Sequence, residues 1–237
     1  MKHETLIYTH QTQTLHGYVA YPEQLTTPVP AVLIAHDWSG RNEFACQKAD
    51  NMAKMGFIGM ALDMYGEGDV ADSLEDKQAR IKPFIDNRAL LQDRMHAAFL
   101  ALKNLAHVDE HRMAAVGFCF GGMCVLDLAR LGTDLKGVVS VHGLLDNAPN
   151  RQTQTIKARV LALHGQEDPM VPPATLEAFC QEMHAAGIDW QLHQYGLTQH
   201  AFTNPDAHNH ALGTVYNPLA EKRALHAIHY FLQEIFS

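Results

Sequence analysis

The sequence predicts an α/β domain in which helices cover both faces of a mostly parallel β-sheet. Short runs rich in Val, Ile, Leu and Ala recur along the 237 residues, and a longer helical pattern follows most of them. This alternation is typical of a parallel sheet in a three-layer α/β/α arrangement. The chain is 47% hydrophobic and 19% charged, as globular chains are, and it contains no biased linker segment. We therefore expect a single domain over residues 1–237.

The predicted strands differ in how their apolar residues are arranged. Residues 15–21 alternate between apolar and polar, as in an antiparallel strand with one exposed face. Residues 31–35 are continuously apolar, as in a strand covered on both faces. The other predicted strands cover residues 57–62, 113–117, 137–141, 160–164 and 191–195. Active sites of such sheets lie at the carboxyl ends of the strands. The polar residues that follow strand ends are His36, Asp37, Asp63, Cys119, His142, Asp168 and His200.

The predicted helices alternate with these strands. Asn42 is suited to cap a helix that reaches Met55, because its side chain can accept from free backbone N–H groups. Residues 81–106 form a long amphipathic pattern, and Pro83 is expected in its first turn. The remaining helices are predicted at residues 123–131, 175–186 and 218–236.

Charge and cysteine content limit the classes of partner. The chain has 18 Lys and Arg against 26 Asp and Glu, a net charge of −8, which disfavours binding to nucleic acid or anionic membranes. The N-terminal residues contain no apolar signal core, and no apolar run approaches the roughly 18–20 residues that span a bilayer. The four cysteines lack disulfide or zinc spacing. We expect a cytoplasmic protein without a metal or cofactor.

The most informative segment is the turn around Cys119. A strand-like run ends at Gly117, Gly121 follows Cys119 by two residues, and a helical pattern begins just beyond. Glycines at these two positions permit the sharp strand-to-helix turn of a nucleophile elbow, with Cys in place of Ser. The N-terminus of the helix favours a thiolate, and the next backbone N–H can bind an oxyanion. The alternative is that Cys119 is a small buried hydrophobe, which is our interpretation of Cys46, Cys124 and Cys180.

A base and an acid follow Cys119 in the chain. Asp168 lies in a polar turn after one predicted strand, and His200 lies in the loop after the last one. The order Cys, Asp, His is that of α/β-hydrolases. His200 can exchange a proton with the thiol, and Asp168 can fix its tautomer. Glu167 is the nearest rival to Asp168. The pairs His208 with His210 and His226 with His229 lack further partners for a metal site.

The sequence resembles the dienelactone hydrolase family over nearly its whole length. The segments that carry the resemblance are GFCFGG at 117–122, HGQEDPMVP at 164–172, HAF at 200–202, AHDWSG at 35–40 and LDMYG at 62–66. The resemblance implies an α/β-hydrolase fold and a Cys119–His200–Asp168 triad. It also implies an oxyanion hole formed by the backbone N–H groups of Trp38 and Phe120.

Two departures from the family pattern bear on the substrate. The family has an acidic side chain that partners the resting thiol, and Asp37 holds that position with one methylene fewer than the usual Glu. The family also has an Arg, four residues after the catalytic His, that holds the substrate carboxylate; here that residue is Asn204. Arg80 or Arg88 could correspond to a second such Arg. We hypothesise that dienelactone itself is not the natural substrate.

The leading interpretation is a hydrolase that cleaves a small ester or lactone through a thioester acyl-enzyme. The chemistry requires no cofactor, and we expect a monomer or a small homo-oligomer. A thioesterase or a broad carboxylesterase on the same fold is the first alternative. A dehalogenase would need a carboxylate where Cys119 stands. The alternative from another class is a non-catalytic binding or redox-sensing module.

Overall fold

The computed structural model describes residues 1–147 and 155–237 of the chain. The strands are β1 (Lys2–His10), β2 (Gln13–Tyr21), β3 (Val29–Ala35), β4 (Ile58–Ala61), β5 (Val108–Phe118), β6 (Gly137–Val141), β7 (Arg159–Gly165), β8 (Trp190–Tyr195), β9 (His208–Asn209) and β10 (Thr214–Val215). The helices are α1 (Glu43–Lys54), α2 (Leu74–Asp86), α3 (Arg88–Lys103), α4 (Phe120–Arg130), α5 (Pro173–Ala185) and α6 (Pro218–Phe236). Apart from residues 81–106, the predicted elements are confirmed, with ends shifted by up to three residues at helices and five at strands.

Eight strands form one sheet in the order β1-β2-β4-β3-β5-β6-β7-β8. The pairs from β4 through β3 to β8 are all parallel, whereas β1 pairs antiparallel with β2 and β2 with β4. The sheet is therefore mostly parallel, as predicted. The carboxyl ends of β3, β5, β6, β7 and β8 meet at one edge, and the candidate site lies there.

Helices cover both faces of this sheet. Along β3, alternate side chains point to opposite faces, so Leu33 belongs to one apolar core and Ile34 to the other. The first core contains side chains of α2, α3, α4 and α5, and the second contains those of α1 and α6. This is the predicted three-layer α/β/α arrangement. No helix in the described part of the chain is long and apolar enough to cross a membrane.

The prediction of one long helix over residues 81–106 is wrong. Two helices, α2 and α3, meet at Asn87, whose backbone leaves the helical region with φ −133° and ψ 88°. The Asn87 side chain accepts a hydrogen bond from Leu90 N at 3.1 Å and so begins α3 as an N-cap. Pro83 lies inside α2 instead of in its first turn, because that helix already starts at the cap residue Ser73.

Candidate active site

The turn around Cys119 has the geometry of a strand-to-helix elbow. Strand β5 runs to Phe118, Cys119 adopts φ +55° and ψ −117°, and α4 begins at the next residue. A Cβ atom on Gly117 would collide with the carbonyl of Gly121, and one on Gly121 with the carbonyl of Ala35. Only glycine permits this close packing of strand, turn and helix. Helix α4 starts three residues before the predicted start, which puts its N-terminus directly beside Cys119.

Strained backbone conformations cluster around this edge of the sheet. Of the seven non-glycine residues with positive φ in the part of the chain that is described, four lie here: Cys119, His142, Leu197 and Ala201. Leu197 and Ala201 stand on either side of His200, in the loop that follows β8. Such conformations cost free energy, and they cluster at functional sites, where the surrounding structure enforces them.

A cavity of about 250 Å³ opens at this edge, and both Cys119 and His200 line it. Cys119 is half-buried, and its backbone N–H donates to Val141 O at 3.0 Å, which ties the elbow to β6. His200 and Asp168 are almost fully buried, with side-chain exposures of 1% and 0%. Their link is a hydrogen bond of 2.7 Å from His200 Nδ1 to Asp168 Oδ2. The second carboxylate oxygen of Asp168 accepts from Met170 N at 2.8 Å.

Two short strands that sequence reasoning missed hold His200 in place. Strands β9 and β10 pair antiparallel, and β10 forms a parallel bridge from Thr214 to His200. The backbone N–H of His200 donates to Gly213 O, and its carbonyl accepts from Val215 N, both at 2.9 Å. Two-residue strands leave no detectable period in a sequence, so no pattern could have found them.

The pKa of His200 is perturbed. Burial lowers it, but attraction to Cys119 and the hydrogen bond to Asp168 outweigh burial and raise the pKa to about 10. The Nε2 atom makes no hydrogen bond of standard geometry to any atom in the described residues. Cys119 raises the pKa of His200 mainly because negative charge on its sulfur attracts the imidazolium. With Nδ1 donating to Asp168, Nε2 is the nitrogen available for chemistry.

The raised pKa of His200 predicts a pH dependence of the free energy of unfolding, and Cys119→Ala should alter it. The pKa of His200 in the folded chain lies above its ordinary value of 6.5. The protonation of His200 therefore stabilises the fold fully below about pH 6.5, and this contribution is lost as pH rises towards 10. Cys119→Ala should lower the pKa of His200 and reduce the fall in unfolding free energy over this range. Imidazole NMR titration, with urea melts at each pH, measures both. An unchanged His200 titration in the variant contradicts the assigned cause.

The two N–H groups expected to bind an oxyanion are both unoccupied. Neither Trp38 N nor Phe120 N donates a hydrogen bond to another described residue. The loop of Trp38 is fixed by Tyr65, whose hydroxyl donates to Trp38 O at 2.7 Å. The buried Asp63 in turn accepts hydrogen bonds from four backbone N–H groups, which fixes the loop of Tyr65; the donors are His16, Tyr65, Gly66 and Gly68.

Asp37 lines the cavity together with Cys119. Its Oδ1 accepts from Ser39 N at 2.8 Å, and no hydrogen bond between Asp37 and Cys119 is present among the residues that the structure describes. The neighbouring His36 is buried, which lowers its pKa, and its Nε2 accepts from Met64 N at 3.3 Å. His36 is thus a neutral structural residue, and a role of Asp37 as thiol partner stays a prediction.

The arginines considered as carboxylate anchors lie elsewhere. Arg88 is 1% exposed and bonds to the buried Asp127 and to the exposed Asp146. Arg80 pairs with two carboxylates, those of Asp69 and Asp76, and does not line the cavity. Asn204, at the position of the family Arg, does line it. The Lys and acidic residues of the cavity wall are Lys77, Asp37 and Asp206, and sequence reasoning missed Lys77.

The other histidines differ in their positions. His164 is buried and lies outside the cavity wall, and burial lowers its pKa. His142 and His208 line the cavity. Across residues 1–147 and 155–237, no group of three or more His, Cys, Asp or Glu side chains could hold a metal ion.

Comparison with known proteins decides the family. The family model described as "Dienelactone hydrolase family" matches residues 15–236. The chain belongs to the dienelactone hydrolase family. It is accordingly a hydrolase of carboxylic esters with the α/β-hydrolase fold.

Relatives of this dienelactone hydrolase family member include proteins named after lactone hydrolysis. A Yersinia pestis protein named "Putative carboxymethylenebutenolidase" is 28% identical over 203 residues, which are 81% of this chain and 75% of that protein. A Bradyrhizobium protein named "Probable 2-oxo-3-(5-oxofuran-2-ylidene)propanoate lactonase" is 28% identical over 88% of this chain and 84% of its own length. A solved structure from metagenomic libraries, a dienelactone hydrolase-like promiscuous phosphotriesterase, is 33% identical with a TM-score of 0.93 and covers 100% of this chain and 99% of its own.

Proposed function

We propose that this protein hydrolyses small, uncharged esters or lactones, with Cys119 as nucleophile, His200 as base and Asp168 as the acid that orients His200. The observation that carries the proposal is the buried hydrogen bond of 2.7 Å between His200 and Asp168, which leaves Nε2 free in the cavity that Cys119 lines. This arrangement provides a nucleophile, a base and an orienting acid in one cavity. A working thiolate also requires a reducing compartment, and we propose the cytoplasm.

The acylation step follows from this arrangement. The Cys119 thiolate attacks the carbonyl carbon, and the negative oxygen accepts hydrogen bonds from the free N–H groups of Trp38 and Phe120. The C–O bond to the leaving group breaks, and the imidazolium of His200 gives its proton to the departing oxygen. A thioester on Cys119 results. Enol and aryl leaving groups fit this step best. The thiolate is itself a good leaving group, and a released alkoxide attacks the thioester again and reverses the step, whereas enol and aryl leaving groups do not return.

The deacylation step needs water. His200 Nε2 takes a proton from the water as its oxygen bonds to the thioester carbon. The C–S bond then breaks, and the acid product leaves. Asp168 keeps Nδ1 protonated in both steps, so that Nε2 alternates between base and acid.

The charges of the cavity wall favour a substrate without a carboxylate. Asp37 and Asp206 contribute negative charge against the single ammonium of Lys77, and no arginine among residues 1–147 and 155–237 lines the cavity. Asn204 can donate hydrogen bonds but carries no charge. An anionic substrate would therefore find a weaker anchor here than a bidentate guanidinium offers.

Asn204→Arg should make the enzyme accept anionic lactones. A charge-assisted hydrogen bond contributes roughly 1.5–3 kcal/mol, so kcat/KM for a carboxylate-bearing enol lactone should rise by about 10- to 100-fold, mainly through KM. Turnover of a neutral aryl acetate should stay within about twofold. Asn204→Gln, which lengthens the side chain without charge, is the matched control. Equal gains for neutral and anionic substrates would contradict the charge argument.

A phosphotriesterase side activity is a second candidate. The metagenomic phosphotriesterase covers this whole chain at 33% identity, and none of the arginines that the structure describes lines the cavity. A neutral aryl phosphotriester presents a phosphoryl oxygen that the same two N–H groups can bind. Cys119 would displace the aryloxide, and water would then cleave the S–P bond. Release of nitrophenol from a nitrophenyl dialkyl phosphate, lost in Cys119→Ala, tests this activity.

The decisive experiment combines a substrate panel with trapping of the intermediate. Aryl esters, enol lactones and thioesters are given to the wild type, to Cys119→Ala and to the control Cys180→Ala, and intact mass is measured after rapid quenching. We expect turnover and an acyl adduct on Cys119 in the wild type and the control, and neither in Cys119→Ala. Preference for thioesters would indicate the thioesterase alternative. Ready oxidation of Cys119 without turnover or adduct would indicate a redox-sensing module.

A further inference from the structure

A second histidine, His142, lies beside the proposed base. It directly follows β6, lines the same cavity as Cys119 and His200, and is 2% exposed. The ring centroids of His142 and His200 are 5.3 Å apart, in an edge-to-face arrangement. The backbone of His142 is held at φ +39°, a conformation that L side chains rarely adopt, and its N–H donates to Leu163 O at 2.8 Å. Enforced strain at a cavity wall is a mark of function.

The two ring nitrogens of His142 have different surroundings. Nε2 shares a hydrogen bond of 2.8 Å with the hydroxyl of Thr203, which is fully buried and lies outside the cavity wall. Nδ1 is buried and has no hydrogen-bond partner among the described residues. An unpaired buried polar atom is costly, and the unpaired Nδ1 of His142 belongs to a residue of the cavity wall, where a bound molecule can become its partner.

The charge of His142 is also fixed. Burial and the neighbouring His200 hold the pKa of His142 well below its ordinary value, so the ring stays neutral while His200 carries a proton. When Nε2–H donates to Thr203, Nδ1 keeps a free lone pair. The ring is then a hydrogen-bond acceptor that cannot compete with His200 for the proton of the reaction.

We propose that His142 is a further catalytic residue, whose Nδ1 accepts a hydrogen bond from the hydrolytic water during deacylation. This inference rests on the proposed function. The water oxygen bonds to the thioester carbon as one of its protons moves to His200 Nε2, and the other proton stays with the product acid, held towards His142. The C–S bond breaks, and His200 keeps the proton beside the released thiolate of Cys119, which is the state in which acylation begins. His142 ends the step unchanged.

Acylation needs no water, so the two half-reactions should respond differently to changes at His142. Asn at this position carries a polar atom near the place of Nδ1, whereas Gln reaches only the place of Nε2 and can still bond to Thr203. Thr203→Val leaves the ring in position but takes away the hydroxyl that selects its tautomer. These three variants separate the two nitrogens, and thermal melting shows whether each variant folds.

The test follows acylation and deacylation separately with a nitrophenyl ester, by stopped-flow release of nitrophenol and by intact mass of quenched enzyme. His142→Gln should keep the acylation rate within about twofold, lower the deacylation rate by about 10- to 100-fold, and raise the fraction of acylated Cys119 at steady state. His142→Asn should recover most of the loss. Thr203→Val should change the acylated fraction in the same direction as His142→Gln.

Three results would overturn this role. The first is an equal loss of both rates in His142→Gln, and the second is an equal effect of the Gln and Asn variants. The third, which serves if the Gln variant does not fold, is an unchanged acylated fraction in Thr203→Val. Absence of any adduct on Cys119 in the wild type instead contradicts the proposed nucleophile, so the two failures are distinguishable.

Discussion

Asp168→Asn should lower kcat by about 10³- to 10⁴-fold while the protein remains folded. The carboxylate of Asp168 is fully buried and accepts from His200 Nδ1 at 2.7 Å. An amide can occupy the same space but can donate to Nδ1, which leaves the proton on Nε2. His200 then cannot take a proton from the thiol or from water, and an equivalent tautomer error in serine proteases has an effect of this size. Steady-state kinetics on an aryl ester measures it.

Glu167→Gln is the matched control for this substitution. Glu167 is the neighbouring acid of the same turn, and it is exposed. Its loss of charge should change kcat by less than about twofold. A large loss in Glu167→Gln, with near-normal activity in Asp168→Asn, would show that the acid was assigned to the wrong residue. Retained mass and melting temperature in both variants exclude unfolding as the cause.

The parts of the site that could be predicted are those that depend on the residues of one turn or on the position of a residue at the end of a strand. The glycines on either side of Cys119 are needed by the turn itself, and the structure places carbonyl groups where their side chains would be. Asp168 and His200 follow strands β7 and β8, and parallel strands bring such residues to a common edge whatever the loop lengths are. The fold class follows from the same alternation of strands and helices.

The parts that could not be predicted depend on contacts between distant segments. The bridge from His200 to Thr214 joins two stretches of loop that have no period. The break at Asn87 depends on one side chain capping the next helix, although the apolar pattern continues through it. Lys77 reaches the cavity because α2 begins earlier than its apolar pattern suggests.

Arg88 shows how a residue type can mislead. From the sequence it was a candidate to hold a substrate carboxylate, yet it holds a carboxylate of the protein itself. Its Nε and Nη2 atoms donate to Asp127 at 2.6 and 2.9 Å, and Nη1 donates to Asp146 at 3.0 Å. Asp127 also accepts from Arg130 at 3.0 Å, and Arg130 reaches Glu182 at 2.6 Å. The planar guanidinium fits a carboxylate equally well in either setting, so only burial separates the two roles.

Asp127→Asn should be among the most destabilising substitutions in the chain. The side chain of Asp127 is 0% exposed, and those of Arg88 and Arg130 are each 1% exposed. Neutralising Asp127 removes the negative charge that both buried guanidinium groups contact. Breaking a buried ion pair costs about 3–5 kcal/mol, which for a chain of this length lowers Tm by about 6–20 °C. Lys82→Ala removes the pair with Asp86, whose side chains are 70% and 57% exposed, and should scarcely change Tm.

The same substitution tests whether the buried ion cluster supports the site. Asp127 lies on α4, the helix that begins beside Cys119, while Arg88 lies on α3 and Glu182 on α5. The cluster therefore joins three of the four helices that cover one face of the sheet. Asp127→Asn should lower Tm, while the kcat of the folded fraction at low temperature should stay within a few-fold of the wild-type value. A loss of kcat as large as that in Asp168→Asn would mean that the cluster also sets the position of the elbow.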